Sequence, residues 1–529
     1  MDTKALQQKI LDLAIRGKLV PQDPNDEPAS VLLERIREQK QQMVKDGKLK
    51  KKDIKNDSVI FVGEDNLHYE KFADGSVKCI EDEIPFELPE GWAWARLNQI
   101  YNFIDYRGAT PNKISAGVPL ITAKNVKSGY IDYSVDEYIS EEEYWERQQR
   151  GTSRLGDILF TTEAPLGNAA IANIDKFSAG QRLITFQLYG NCTLNNTTFL
   201  YFILSDIFQN QLHTRKTGST VAGIKASILK TLVLPVPPLK EQEKIYNACG
   251  NLLTLTGKIA SDKQDILSII SKTKSKILDL AIRGQLVPQN LDDEPASVLL
   301  ERIRAEKEEL IKQGKIKRDK KESIIFKGED NSYYLNDSQM TVDINDELPF
   351  EIPASWCWVR LKDVFIINPR NKLEDDLNVS FIPMPLIDDG YSGKHTSEVR
   401  SWKEVKTGFT HFEEGDIGIA KITPCFENRK STVFINLTNG YGAGTTELHI
   451  LRPIGNSILS QYLLAYLKSD YFVDNGKQTF TGAVGQQRIG KEYIENAYFP
   501  IPPKSEQERI VQIINNLFKH LNVILDSFS

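Results

Sequence analysis

Residues 9–37 and 276–304 carry nearly the same text, KILDLAIRGKLVPQDPNDEPASVLLERIR and KILDLAIRGQLVPQNLDDEPASVLLERIR, identical at 25 of 29 positions. A repeat of that fidelity predicts two copies of one structural plan. The likeness continues more loosely. Val59-Ile-Phe-Val-Gly-Glu-Asp-Asn66 answers Ile324-Ile-Phe-Lys-Gly-Glu-Asp-Asn331, and the Pro-Phe-Glu text ending Trp92-Ala-Trp94 answers that ending Trp356-Cys-Trp358. Between these blocks lie two stretches, 100–235 and 364–500, that agree only in outline: Gly156-Asp157-Ile158 with Gly415-Asp416-Ile417, and Thr217-Gly218 with Thr481-Gly482. Each closes on proline-rich text, at Pro237-Pro238 and Pro502-Pro503, followed by Glu-Gln-Glu. A duplicated frame carries two diverged inserts.

Hydrophobic period fills in the elements. After Pro238, Ile245, Ala248, Leu252, Leu255, Ile259, Ile266, Ile269 and Leu280 keep a 3-4 heptad spacing, broken by Asp262 and Thr273. That spacing predicts a coiled-coil helix, and at about 1.5 Å per residue a run of roughly 36 residues reaches roughly 54 Å. Ile510, Ile513, Leu517, Leu521 and Ile524 start a second copy after Pro503. In the inserts, strands are expected at Val118–Ile121, Ile158–Thr161, Leu183–Leu188, Phe381–Pro385, Ile417–Ala420 and Glu447–Leu451, with one helix each near 197–210 and 457–473. The expected fold class is α+β: two globular domains separated by a pair of long antiparallel coiled-coil helices, pseudo-two-fold, with a circularly permuted duplication. The expected divisions are a helical segment over 1–45 that completes the distal helix pair, a linker over 46–84, and a first globule over 85–238. A central helical region over 239–313 follows, then a linker over 314–347, a second globule over 348–503 and a distal helix over 504–529. By the offsets of the repeat, Ser529 corresponds to Gln264 and Met1 to Ser268. The two ends are therefore expected to lie close together, as in a ring cut within one of its long helices.

Length and composition exclude several classes. A chain of 529 residues can bury about three to four domains' worth of core. There is no basic-then-apolar N-terminus and no run of about 18 apolar residues, so a cytoplasmic location is expected. The five cysteines (Cys79, Cys192, Cys249, Cys357, Cys425) are odd in number and far apart, which fits reduced thiols. No histidines fall at ligand spacing, so no metal is expected. No Asp/Asn-Pro-Pro-aromatic turn and no P-loop is present, so neither amino-methyl transfer nor ATP-driven motion has its motif. Acid clusters such as Glu81-Asp82-Glu83 and Asp388-Asp389 read as solvated surface. No catalytic site and no cofactor is expected in this chain.

Donors for nucleic acid are better represented. A net charge of −6 works against a phosphate-binding role, but residues 163–235 hold six Lys/Arg against three Asp/Glu. In the first insert the candidate DNA-binding residues are Arg107, Lys113, Lys124, Asn125, Lys127, Arg215, Lys216, Thr217, Ser219 and Lys225. Glycines beside them let backbone N–H groups approach phosphate, while hydroxyls and cations supply short hydrogen bonds. In the second insert they are Lys421, Thr423, Asn428, Arg429, Lys430, Lys477, Gln478, Thr479, Gln486, Gln487 and Arg488. Gln and Arg can bond bidentately to adenine and guanine edges respectively. The lysine runs over 48–55 and 315–321 read as solvated linkers.

The duplicated frame, the Phe-Glu-Leu-Pro-Glu-Gly-Trp text at 86–92, the Gly-Asp-Ile strands, the run from Thr423 to Asn428 and the two Pro-Pro-x-x-Glu-Gln-Glu closures together resemble the type I restriction-modification specificity subunit, over essentially the whole chain. The resemblance implies two target-recognition domains, each reading half of a bipartite site on double-stranded DNA, and paired helices as a spacer. It also implies two adenine methyltransferase (modification) subunits docked on the frame, with restriction (motor–nuclease) subunits added in the larger complex. S-adenosylmethionine and ATP then belong to those partners. The inserts are expected to read different half-sites, and a heptad added between Ile259 and Ile266 is expected to widen their gap by about 3 base pairs. Two other readings stay open: a DNA methyltransferase or nuclease with an unrecognised site, and a coiled-coil scaffold that does not bind DNA.

Overall fold

A computed structural model describes residues 2–106, 110–190, 194–217, 222–318, 323–336, 340–483 and 485–528. The chain divides into two units, Met1–Asp262 and Lys263–Ser529, so the boundary falls inside the helix Leu239–Ile282. Among the described residues no helix is long and apolar enough to cross a membrane.

The first unit opens with helices Thr3–Ile15 and Ala29–Lys45 and closes with the first half of Leu239–Ile282. Asp2 caps the opening helix through its carboxylate, which accepts from the backbone of Lys4 and Ala5. Its globular domain is built on an antiparallel sheet ordered Tyr101–Asp105, Leu183–Leu188, Ile158–Thr161, Ala169–Ile171, beside a smaller sheet of Ser178–Ala179, Val118–Ile121 and Tyr138–Ile139. Ile10, Ala14 and Ile15 of the frame share one core with Ile245, Cys249 and the sheet residues Ile158, Phe160 and Phe186.

The second unit repeats the plan. Its main sheet is ordered Phe365–Ile367, Leu448–Pro453, Ile417–Ala420, Ser431–Val433. A second sheet, Glu398–Ser401, Asn378–Ile382, Tyr441–Gly444, Thr410–Glu413, is larger than its counterpart. Lys263 Nζ donates to the Phe528 carbonyl and Lys274 Nζ to Asn522 Oδ1 at 2.6 Å, so the end of Leu239–Ile282 runs antiparallel to Lys504–Asp526. The single helix expected near 197–210 is two, Asn196–Leu204 and Asp206–Thr214, and that near 457–473 is likewise Ser460–Leu467 and Asp470–Gln478. Ser205 and Ser469 make the breaks, their hydroxyls accepting from Phe208 and Phe472 N–H at 3.4 and 3.3 Å.

Ile245 is buried as expected, but from Ala248 onward the expected heptad stripe is displaced by one residue. Leu252, Leu255, Ile259 and Ile269 are exposed, while the covered stripe runs through Cys249, Leu253, Thr256 and Ala260 in the first unit and Lys263, Leu267, Ile270, Lys274, Ile277 and Ala281 in the second. The spacing is the same 3-4 alternation, rotated by about 100°. Counting aliphatics missed it because two of the covered positions are lysines whose stems pack while their amines find oxygen on the terminal helix.

The stretches read as linkers are folded. Residues 46–84 hold an antiparallel sheet of Ser58–Val62, His68–Phe72 and Val77–Cys79, and 314–347 repeat it with Ile324–Lys327, Tyr333–Asn336 and Thr341–Asp343. Phe61 stacks on Tyr69 at 5.9 Å and Phe326 on Tyr334 at 5.8 Å. In the first unit this sheet is anchored through Lys40, whose buried amine lies 2.6 Å from Asp57, and through Arg96, which meets Glu70 and Glu83 at 2.6 Å each.

The Gly-Asp-Ile motif has a mechanical role. Gly156 and Gly415 both sit at φ +87°, where a side chain is strained. The next carboxylates close the turn, Asp157 accepting from Arg154 N–H and Asp416 from Glu413 N–H, each at 2.8 Å. Asp416 also grips Arg452, whereas Asp157 has only the neutral Gln187 amide at 2.8 Å in that place. Burial pushes Asp157 up to about 6 from an ordinary 3.8. A raised carboxyl contributes stability fully below 3.8 and loses it as pH climbs through 6, a change on the order of 2–3 kcal/mol. Melting temperature should therefore rise on going from pH 7 to pH 5, and Asp157→Asn should remove that part of the slope. An unchanged slope in the variant would assign it to other groups.

Candidate nucleic-acid interface

In each unit three chain segments meet in one small hydrogen-bonded layer at the end of the main sheet. In the first unit Thr217 and Gly223 exchange backbone hydrogen bonds at 2.8 and 3.0 Å, Ile224 N–H donates to Thr162 O at 3.0 Å, and Thr162 N–H donates to Arg182 O at 3.0 Å. In the second unit Thr481 and Arg488 exchange bonds at 3.1 and 2.9 Å, Ile489 donates to Lys421 at 3.0 Å, and Lys421 donates to Glu447 at 3.0 Å. The backbone pattern is the same, although side chains at matching positions differ. A peptide bond in the cis form, before Pro165 and before Pro424, follows the middle segment in both.

Several of the expected residues converge here. Lys421, Gln486, Gln487 and Arg488 share the second layer, and Lys477, Gln478 and Thr479 end the helix that feeds it. Lys477 pairs with Asp474 at 3.0 Å and the Thr479 hydroxyl donates to Gly476 O at 2.8 Å. Arg488 is held by Glu447 through Nε at 2.9 Å and Nη2 at 3.0 Å. Those hydrogen bonds hold the Glu447 carboxyl below the usual carboxylate range. In the first layer Lys216 and Thr217 are exposed, Lys225 precedes a short helix with its side chain exposed, and Arg215 leans back to within 3.5 Å of Glu83. Arg107 and Ser219 lie outside the described residues. Lys113 and Lys124 approach Glu137 at 2.8 and 3.9 Å, and Lys127 lies 3.8 Å from Asp132.

Four expected DNA contacts are instead committed to the fold. Asn125 is buried, accepting from Thr122 through Oδ1 at 2.9 and 3.0 Å and donating to Asp132 and Val135 carbonyls at 2.9 Å. Thr423 is buried, and its hydroxyl accepts from Gln487 N–H at 3.1 Å. Lys430 gives its amine to the Met384 and Ile387 carbonyls at 3.1 and 2.7 Å. Arg429 bonds Lys468 O at 3.0 Å and Asp470, and lies over the Tyr391 ring. In all four a polar side chain satisfies buried carbonyls or amides of a loop, a role that composition cannot separate from ligand contact. Asn428, beside them, is exposed. Conversely, Arg182 and Glu163 were not singled out from the sequence. They form an exposed pair at 3.1 Å in the first layer. Aligning the two inserts from the Gly-Asp-Ile strands onward would have placed them opposite the Lys421–Arg488 group.

The frame side of each domain is better conserved between copies. Trp92 Nε1 donates to Glu241 at 3.0 Å, and Trp356 Nε1 to Glu506 at 2.9 Å. The adjacent buried glutamines grip the domain by its backbone, Gln242 accepting from Asn195 N–H at 3.0 Å and Gln507 from Leu459 N–H at 2.9 Å. This is what the Glu-Gln-Glu text after each Pro-Pro provides.

The family model described as "Type I restriction modification DNA specificity domain" matches residues 89–266 and 353–525. The type I restriction enzyme EcoEI specificity subunit of Escherichia coli is 43% identical over 274 residues, covering 52% of this chain and 43% of its own length. The EcoAI specificity subunit of Escherichia coli is 47% identical over 256 residues, covering 48% of this chain and 40% of its own. This chain thus spans about two fifths of the length of these two relatives in the matched regions. A chain in a solved structure concerned with complex assembly and conformational transition of the type I R-M system superposes with a TM-score of 0.48 at 17% identity, covering 84% of this chain and 94% of that one.

Proposed function

The chain belongs to the family of type I restriction-modification DNA specificity domains, and from that premise we propose that it is the DNA-reading subunit of a type I restriction-modification complex. Each recognition domain reads one half of a bipartite duplex target, and the frame docks adenine methyltransferase subunits. The observation that carries this reading is the pair of layers with one backbone pattern and different side chains, Thr217 to Gly223 and Thr481 to Arg488. A frame kept nearly constant while the presented donors change is what two readers of different sequences need.

The exposed helix faces support the docking role. Leu252, Leu255 and Ile259 in the first unit, and Ile513, Leu517 and Ile524 in the second, form apolar stripes at heptad spacing on the open side of their helices. Such stripes suit partner helices. Methyl transfer, with its S-adenosylmethionine, and ATP-driven restriction belong to the partner subunits in this reading, and the chain itself is non-catalytic and works in the cytoplasm. The test uses the chain assembled with its modification subunits. Binding to a small set of sequences, with affinity falling steeply as salt rises, and adenine methylation at one bipartite motif are expected. Methylation by the purified chain alone would establish an enzyme instead, and salt-independent or sequence-blind behaviour of the complex would establish a scaffold.

A further inference from the structure

The two layers differ in one informative way. The matched positions in the first unit are Glu163, Arg182 and Gly223, and in the second they are Ile422, Glu447 and Arg488, as the shared backbone bonds and the bridges Glu163–Gly223 and Ile422–Arg488 establish. Each layer therefore carries one arginine and one glutamate in contact, but on different segments. Arg182 stands beside the main sheet and pairs with Glu163 at 3.1 Å. Arg488 comes from the returning loop and pairs with Glu447, which occupies the position of Arg182.

Folding gives no reason for this exchange. Exposed ion pairs contribute little to stability, and the Arg182 and Arg488 side chains are 57% and 40% exposed. What the pairs do achieve is orientation. Arg488 gives Nε–H and one Nη2–H to Glu447 and one Nη1–H to Gln486 O at 2.8 Å. A guanidinium has five N–H donors, so each terminal nitrogen keeps a second hydrogen. Two parallel N–H groups on a fixed fork match O6 and N7 of guanine in the major groove.

We propose that Arg182 and Arg488 are the guanine-reading side chains of the two recognition domains, with Glu163 and Glu447 as the residues that position them. This rests on the DNA-reading function given above. It adds how one backbone reads different sequences: the arginine is moved from one segment of the layer to another, and its carboxylate partner moves with it.

The experiment takes the chain with its modification subunits and compares wild type, Arg182→Lys, Arg488→Lys and Glu447→Gln. Lysine keeps the charge and an ion pair but loses the fork. Binding is measured against duplexes carrying every single base-pair change, and methylation is mapped by long-read sequencing. Each arginine variant is expected to lose about 5- to 150-fold of discrimination at one G·C pair in its own half-site, leaving the other half intact. Glu447→Gln should lower discrimination at the same pair as Arg488→Lys and at no other. An unchanged motif, uniform weakening across all sequences as a phosphate contact would give, or a wild-type half-site without a G·C pair each overturns the proposal. A wild-type complex with no sequence preference would instead defeat the function on which it rests.

Discussion

Arg96→Ala is expected to destabilise the first unit by about 3–5 kcal/mol, the cost of removing one partner from a buried ionic cluster. Arg96 is 5% exposed. It donates to Glu70 through Nη2 at 2.6 Å and Nε at 3.2 Å, and through Nη1 to Glu83 and the Thr231 carbonyl, both at 2.6 Å. Its loss strips the buried Glu70 of its cation and the Thr231 carbonyl of its donor, and leaves Glu83 with Lys78 at 3.0 Å and Arg215 at 3.5 Å. The second unit supplies the control. Leu335 replaces Glu70 at the matching position, and Arg360 lies against the Tyr498 side chain, 5.8 Å from the ring and in hydrogen-bonding reach of it, so Arg360→Ala should cost about 1 kcal/mol. The pH dependence adds a signature. Burial would raise the Glu83 carboxyl, but hydrogen bonds from Arg96 and Lys78 outweigh it and hold the group at about 2. A lowered carboxyl contributes stability above its ordinary 4.5 and loses it as pH falls towards 2. That acid-side loss should shrink in Arg96→Ala. Equal melting curves for the two alanine variants would mean that the cluster contributes no more than the single contact at Arg360.

The Arg96 cluster also explains why 46–84 reads as a linker from sequence and folds as a sheet. Its lysines and acids look solvated, and Glu70 and Asp57 become structural only because Arg96 and Lys40 reach them from elsewhere in the unit. Long-range pairing leaves no local period. What was legible was what repeats or alternates locally: the duplication, the strands at Ile158–Thr161 and Ile417–Ala420, and the long helix after Pro238. The helix's covered face was misjudged by one residue because Lys263 and Lys274 count as polar in a periodicity and as packed stems in the structure. In the candidate interface, charge and glycine content located the loops near Thr217 and Thr481. They did not separate Arg488, whose fork stays partly exposed, from Arg429 and Lys430, whose donors are spent on carbonyls.

Placing residues 361–497 where 97–232 stand, within the same chain, is expected to replace one half of the methylated motif with a copy of the other half. The splice points are equivalent: Leu97 N–H donates to Leu232 O at 3.0 Å, and Leu361 N–H to Ala497 O at 3.2 Å. Outside them the closing strands stay paired, Ala93–Arg96 with Val233–Val236 in the native frame. The frame's glutamine grip tolerates the exchange because it accepts from backbone, whereas the Thr198 and Gln99 side-chain bonds to Gln242 and Ser58 are lost with the first insert. Gln242 would accept from the Leu459 N–H as Gln507 now does at 2.9 Å, in place of Asn195. The Trp92–Glu241 bond lies wholly within the retained frame. The apolar contacts fit less well. Phe199 and Phe202 pack in the first core where Leu463 and Tyr466 pack in the second, so a loss of about 1–3 kcal/mol is expected from imperfect filling. Half-site choice should nevertheless move with the insert, since each layer with its arginine and glutamate, Arg488 and its anchor Glu447 included, lies wholly inside the exchanged residues. Methylation mapping reads the result. A motif altered in both halves, or unaltered in either, would show that the frame and not the insert decides what is read.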